Sequence, residues 1–156
     1  RGERSSPPRS AGAFRRQHPR RPVAPLGVHV RDGSENAGSP LNINGDTVAG
    51  ELAYALEAEQ LVFLTDVAGV MDGGGRVIRR LDRRRADILS NSGVIQGGMI
   101  PKLSACLRAL ERSPVANIID GRQPDALLEC VRGNSTGTTI VEDFRSARRR
   151  ENTGEA

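Results

Sequence analysis

Two short runs of this 156-residue chain, QLVFLT at residues 60–65 and VANII at residues 115–119, place apolar side chains on both faces of an extended backbone. Such strands need cover on both sides, the situation of a parallel sheet and not of a sheet with one wet face. A third run, residues 138–141, and a short one, residues 25–30, also read as strands, and helical patterns lie between them. Strands alternating with helices predict an α/β chain: a parallel sheet covered on both faces, joined by right-handed crossovers. In that reading residues 60–65 form a central strand.

The helix before the second buried run carries the most information. In IQGGMIPKLSACLRAL, residues 95–110, Gly97 and Gly98 allow positive φ and close approach to a ligand, and Pro101 suits a first helical turn. Leu103, Cys106, Leu107 and Leu110 then repeat at i, i+3, i+4 and i+7, one apolar stripe facing a core. Lys102 sits in that first turn and is the only lysine among 23 Lys and Arg residues. Lysine is a compact charge that can follow a moving phosphoryl group, and a helix N-terminus adds free N–H groups and partial positive charge. The functional reading is a phosphate or transition-state contact; the bland one is a solvated surface lysine.

Two loops precede that helix. Asn42, Asn44 and Asp46 lead into a helix whose apolar positions are Val48, Leu52, Ala55 and Leu56. Capping explains one of the three polar residues; a polar cluster at a strand-to-helix junction, where α/β sheets bind ligands, accounts for all three. The loop DVAGVMDGGG follows the first buried run at its C-terminal end, again a ligand position. Gly73–Gly75 within it lacks the GxGxxG fingerprint and reads equally as a hairpin turn between Met71 and Val77. Residues 82–89 read as a short helix with a solvated, arginine-rich face, and residues 124–131 as a helix with Pro124 in its first turn.

Charge and composition then exclude several classes. Seven Arg against Glu3 give residues 1–22 about +6 of a total of +4, so the remaining chain carries about −2 and the basicity belongs to the tail. Aromatics at 3% offer little for base stacking, so nucleic acid is not an expected partner. Cys106 and Cys130 lie in apolar helical patterns and read as packing residues; His18 and His29 have no companion at metal spacing, so no metal ligand set is expected. No run approaches the roughly 18 apolar residues of a membrane span, and no apolar signal core opens the chain, which reads as a cytoplasmic protein without membrane attachment. Residues 1–24 read as a disordered basic tail, 25–142 as the domain and 143–156 as a fraying end; the initial Arg reads as a fragment or a processed product.

The motifs PLGV, NINGD with AGELAYALEAE, LVFLTDVAGVMD, GVIQGGMIPKLSACLRAL, NIIDGR and GTTI, in that order, resemble the amino acid kinase family, and within it the acetylglutamate kinases. The resemblance implies a three-layer αβα sandwich with a mostly parallel sheet, here incomplete, and ATP-dependent phosphorylation of the side-chain carboxylate of N-acetyl-L-glutamate. It implies that Lys102 stabilises the transferring phosphoryl group, that Asp46 orients catalytic lysines, and that Asn42, with Asn44 beside it, contacts the acyl amino acid. Thr65, Asp66, Val67, Gly69 and Val70, with Gly97, Gly98 and Met99, would line the ATP site, with Mg2+ bridging the phosphates. The full-length enzymes would be homo-oligomers. A kinase for a related substrate such as an aminoadipate derivative, and a non-catalytic nucleotide-binding module, are the alternatives.

This sequence departs from the family pattern in three ways. Gly45 stands where the family has Ala, which would loosen the helix entry by about 0.5–1 kcal/mol. The loop at residues 31–40 is longer than usual. The family's first half, with its glycine-rich loop, a further lysine and the arginine that holds the substrate carboxylate, has no match here. A sheet lacking those neighbours would expose an edge and part of a face, so the isolated chain is expected to be marginal or aggregation-prone.

Overall fold

The computed structural model describes residues 23–28 and 40–143; the basic segment before them, the stretch 29–39 with His29, and the end from residue 144 lie outside the described residues, so the expectations made for both tails and for most of that loop do too. In chain order the elements are β1 (Leu26–Val28), β2 (Pro40–Asn42), α1 (Gly45–Ala55), β3 (Leu61–Thr65), β4 (Arg80–Asp82), α2 (Arg83–Asn91), α3 (Met99–Ala109), β5 (Ala116–Asp120), α4 (Ala126–Val131) and β6 (Thr138–Val141). Strands β1 and β2 form an antiparallel pair of their own, and the other four make one sheet in the order β3-β5-β6-β4.

The sheet is mixed and mostly parallel. β3 runs parallel to β5 and β4 to β6, whereas β5 and β6 are antiparallel, with Ile118 opposite Thr138. The all-parallel reading fails at that pair. The chain reverses through α4 and its loops, so β6 enters the sheet beside the end of β5 and runs back along it. β4 was not legible at all: Leu81, fully buried, is flanked by Arg80 and Asp82 in a stretch with no strand periodicity.

β3 is an edge strand and not a central one, because β5 flanks it on one side only among the described residues. Its burial alternates between the two faces of the sheet. Phe63 is 8% exposed and faces the core, whereas Leu64, on the other face, is 52% exposed. The core lies on the Phe63 face, where Leu103, Cys106 and Leu110 of the α3 end pack with Val70, Leu81, Ala86, Ile118 and Ile140. On the opposite face α4 covers part of β5 and leaves an apolar groove of about 510 Å³ between Leu64 and Leu127, Leu128 and Val131. The open edge and half-covered face are those expected of a sheet missing neighbours.

Helix α1 presents a different face from the one its large apolar residues predict. Gly50 and Ala53 are buried, while Leu56 is exposed. At Gly50 an added Cβ would lie 2.8 Å from the Ala105 carbonyl oxygen and 2.9 Å from its Cα, so small residues set how closely α1 and α3 approach. Gly45 opens α1 at its first position with room for a Cβ, so the change from Ala costs less there than in a helix interior. Across the outside of this helix pair, Arg108 bridges Glu51 and Glu111, and both Arg108 and Arg112 stack on Tyr54. The apolar stripe of α3 is as predicted, widened by buried Ala105 and Ala109 toward α1.

A cleft at two helix N-termini

The close α1–α3 contact carries the N-termini of both helices to one place, beside the C-terminal ends of β3 and β5. Asn44 caps α1, its side-chain oxygen accepting from the N–H groups of Asp46 at 2.9 Å and Thr47 at 3.2 Å. Of the three polar residues around the helix start, Asn44 is therefore the one that capping uses. Asp46, in the first turn, adds a negative charge that suits that helix end. Asn42 ends β2 with an exposed side chain.

Helix α3 starts at Met99, two residues earlier than the proline predicts, so Pro101 is its third residue. The first four N–H groups of a helix have no partner within it, so the missing N–H still costs nothing. Lys102 remains in the first turn. Its Nζ donates to Asp46 Oδ2 at 3.1 Å, with side chains 24% and 19% exposed, so the solvated-lysine reading fails. Gly97 takes the expected positive φ of +58°, whereas Gly98 has φ −65° and serves as the N-cap.

A cleft of about 270 Å³ is lined by Thr65, Asp66, Val67, Gln96, Gly98, Met99 and Lys102. It joins the β3 loop to the α3 N-terminus and brings together five of the residues named above for the nucleotide, and the lysine. Gly69 and Val70 do not line it: both are buried behind the loop. Gly97 also lies off the lining. Gln96 was missed by the sequence reading, although it sits inside the quoted α3 motif. Thr65 Oγ1 donates to Asp66 Oδ1 at 3.2 Å and so braces the rim.

The end of β5 adds a second charged pair that the motif NIIDGR contained without revealing. Asp120 accepts from Arg122 Nε and Nη2, both at 2.9 Å, and from its backbone N–H at 3.0 Å. These bonds hold the Asp120 carboxyl well below the usual carboxylate range, and Asp66 adds to the negative field around Arg122. The glycine run of the β3 loop is a hairpin turn. Met71 bridges Val77, and Asp72 accepts from the N–H groups of Gly74 and Arg76 and from Arg76 Nε. Helix α2 is capped by Asp82, which accepts from the Arg85 N–H; Pro124 precedes the α4 cap, Asp125, and stands outside the helix.

Both cysteines are buried, and burial pushes their thiols up, the surroundings of packing residues. Among the described residues no three His, Cys, Asp or Glu side chains gather at metal-binding distance, and no helix is long and apolar enough to cross a membrane. The acidic groups nearest the lysine are Asp46, paired with it, and Asp66 on the cleft lining, and these are the residues that could face a cation carried on phosphates.

A model of the amino acid kinase family matches residues 20–120. Acetylglutamate kinase of Dehalococcoides mccartyi is 43% identical over 119 residues, which is 76% of this chain and 44% of that protein. The Nostoc acetylglutamate kinase is 50% identical over 113 residues, covering 69% of this chain and 38% of that one. The chain thus spans less than half the length of these curated relatives. Among solved structures, N-acetylglutamate synthase from Neisseria gonorrhoeae, complexed with coenzyme A and L-arginine, superposes with a TM-score of 0.66 at 27% identity, over 78% of this chain and 27% of that one.

Proposed function

This chain belongs to the amino acid kinase family, and on that premise we propose that it carries the nucleotide-binding half of an enzyme phosphorylating the side-chain carboxylate of N-acetyl-L-glutamate with ATP. The observation that carries the reading is the Lys102–Asp46 pair at the mouth of the cleft. Phosphoryl transfer asks the protein for positioning and charge stabilisation, with no covalent intermediate. A carboxylate oxygen of the acceptor attacks the γ-phosphorus, the bond to ADP breaks, and an acyl phosphate and ADP leave; the acceptor is already ionised, so no proton must be removed.

Each residue has a part in that step. Lys102, with the α3 N-terminus behind it, offers positive charge to the phosphoryl oxygens as charge develops on them. Asp46 holds the ammonium in place. Thr65, Asp66, Val67, Gly98 and Met99 line the nucleotide cleft, with Gln96 beside them; outside that lining Gly69 and Val70 close the β3 loop and Gly97 makes the turn before α3. Asn42, exposed at the end of β2, contacts the acyl amino acid, and Asn44 supports it through the α1 cap. Magnesium, when carried in on the nucleotide, would neutralise charge on the phosphates.

The test is a chimera in which residues 23–143 replace the matching segment of the Nostoc relative. With ATP, Mg2+ and N-acetyl-L-glutamate it is expected to form acyl phosphate, trapped as the hydroxamate, and to prefer this acceptor over N-acetyl-aminoadipate. A folded chimera that binds ATP and phosphorylates neither acceptor would sink the proposal.

A further inference from the structure

We propose that Thr138, which lies outside the cleft, is the positioning residue that sets its nucleotide-facing loop, residues 65–70. The Thr138 side chain is fully buried at the start of β6, and its Oγ1 accepts the Val70 N–H at 2.9 Å, across 68 residues of chain. This is a buried bond closing the loop that Thr65, Asp66 and Val67 begin. The Val70 carbonyl is held as well, accepting from the Ile78 N–H at 2.8 Å, so both backbone groups of the loop's last residue are fixed.

Gly69 shows how tightly the contact is made. Its φ is +144°, a backbone region that residues with a Cβ rarely adopt, and a Cβ there would lie 2.7 Å from Thr138 Oγ1. The hydroxyl is therefore seated against the loop backbone itself. β6 is in turn fixed on β5, with Ile118 opposite Thr138 and Thr139 Oγ1 donating to Asn117 Oδ1 at 2.8 Å. The path runs from the sheet centre through Thr138 to Val70 and on to the residues lining the cleft. Serine keeps the acceptor; valine keeps the shape and leaves the Val70 N–H buried without a partner.

The nucleotide part of this inference rests on the function proposed above, so the test has two readouts on the full chain. Amide hydrogen exchange is measured without ligand, and Mg-ATP is then titrated into wild type, Thr138→Val and Thr138→Ser. Thr138→Val is expected to melt cooperatively, to exchange faster at residues 66–70 while α3 and β5 stay protected, and to bind Mg-ATP about tenfold more weakly; Thr138→Ser restores both. Unchanged exchange at 66–70, a uniform loss of protection across the domain, or a serine variant that behaves like valine would overturn the role. If wild type binds no Mg-ATP, the nucleotide reading fails and the exchange result still decides whether Thr138 holds the loop. If Thr138→Val does not fold, Gly69→Ala tests the same contact from the loop side: faster exchange confined to 66–70 is expected, and unaltered exchange there would contradict it.

Discussion

Lys102→Ala in the chimera is expected to lower kcat by roughly 10²–10³-fold, the usual cost of removing one preorganised charge or donor from a transition state. The KM for N-acetyl-L-glutamate should move little, because the role proposed for the lysine is on the phosphoryl group and not on the acyl amino acid. Lys102→Arg should not restore the rate. A planar fork cannot follow the phosphoryl group as a point charge does, and the site beside Asp46 is built for one ammonium at 3.1 Å. Steady-state kinetics with both substrates varied separate the cases. A kcat within a few-fold of wild type for Lys102→Ala would remove the lysine from the chemistry.

Gly137→Ala is expected to be the most damaging single-atom addition to the fold. A Cβ at Gly137 would collide with the Ile118 carbonyl oxygen and lie 2.9 Å from the Ile119 Cα, and neither is a side chain that can swing aside. β6 must then move off β5, in the middle of the sheet, taking Thr138 away from Val70. The cost should reach the upper end of overpacking, about 3 kcal/mol. For a domain of this size that corresponds to a fall in Tm of roughly 10–20 °C, read by circular dichroism. A variant melting within about 2 °C of wild type would mean that the backbone yields there more readily than the sheet allows.

What could be read from the sequence, and what could not, divides by the range of the interactions involved. Helix α3 was legible because its apolar stripe repeats within one element, and β6 because four apolar or branched residues follow a glycine loop. The Lys102–Asp46 pair was legible in part: a solitary lysine at a helix start and an acidic residue at another are local features, but their 3.1 Å contact depends on Gly50 letting α1 reach Ala105. Thr138 carried no local signal of its role, since its partner is 68 residues away. The edge position of β3 was misread for the same reason. Apolar residues on both faces reveal what a strand must bury against, and not whether this chain provides it. Gly69 and Val70 match the nucleotide loop by motif, yet the fold buries both and leaves Thr65, Asp66 and Val67 to face the cleft.

The central claim is that nucleotide binds between the β3 loop and the α3 N-terminus, and the molecule offers a rival location: the apolar groove beside α4, of about 510 Å³ against about 270 Å³ for the cleft. Hydrogen exchange of the chain with and without Mg-ATP distinguishes the two directly. Saturable protection of residues 65–67 and 96–102, with α4 unchanged, is the predicted result. Protection confined to residues 121–131, or none in a chain that melts cooperatively, would contradict it.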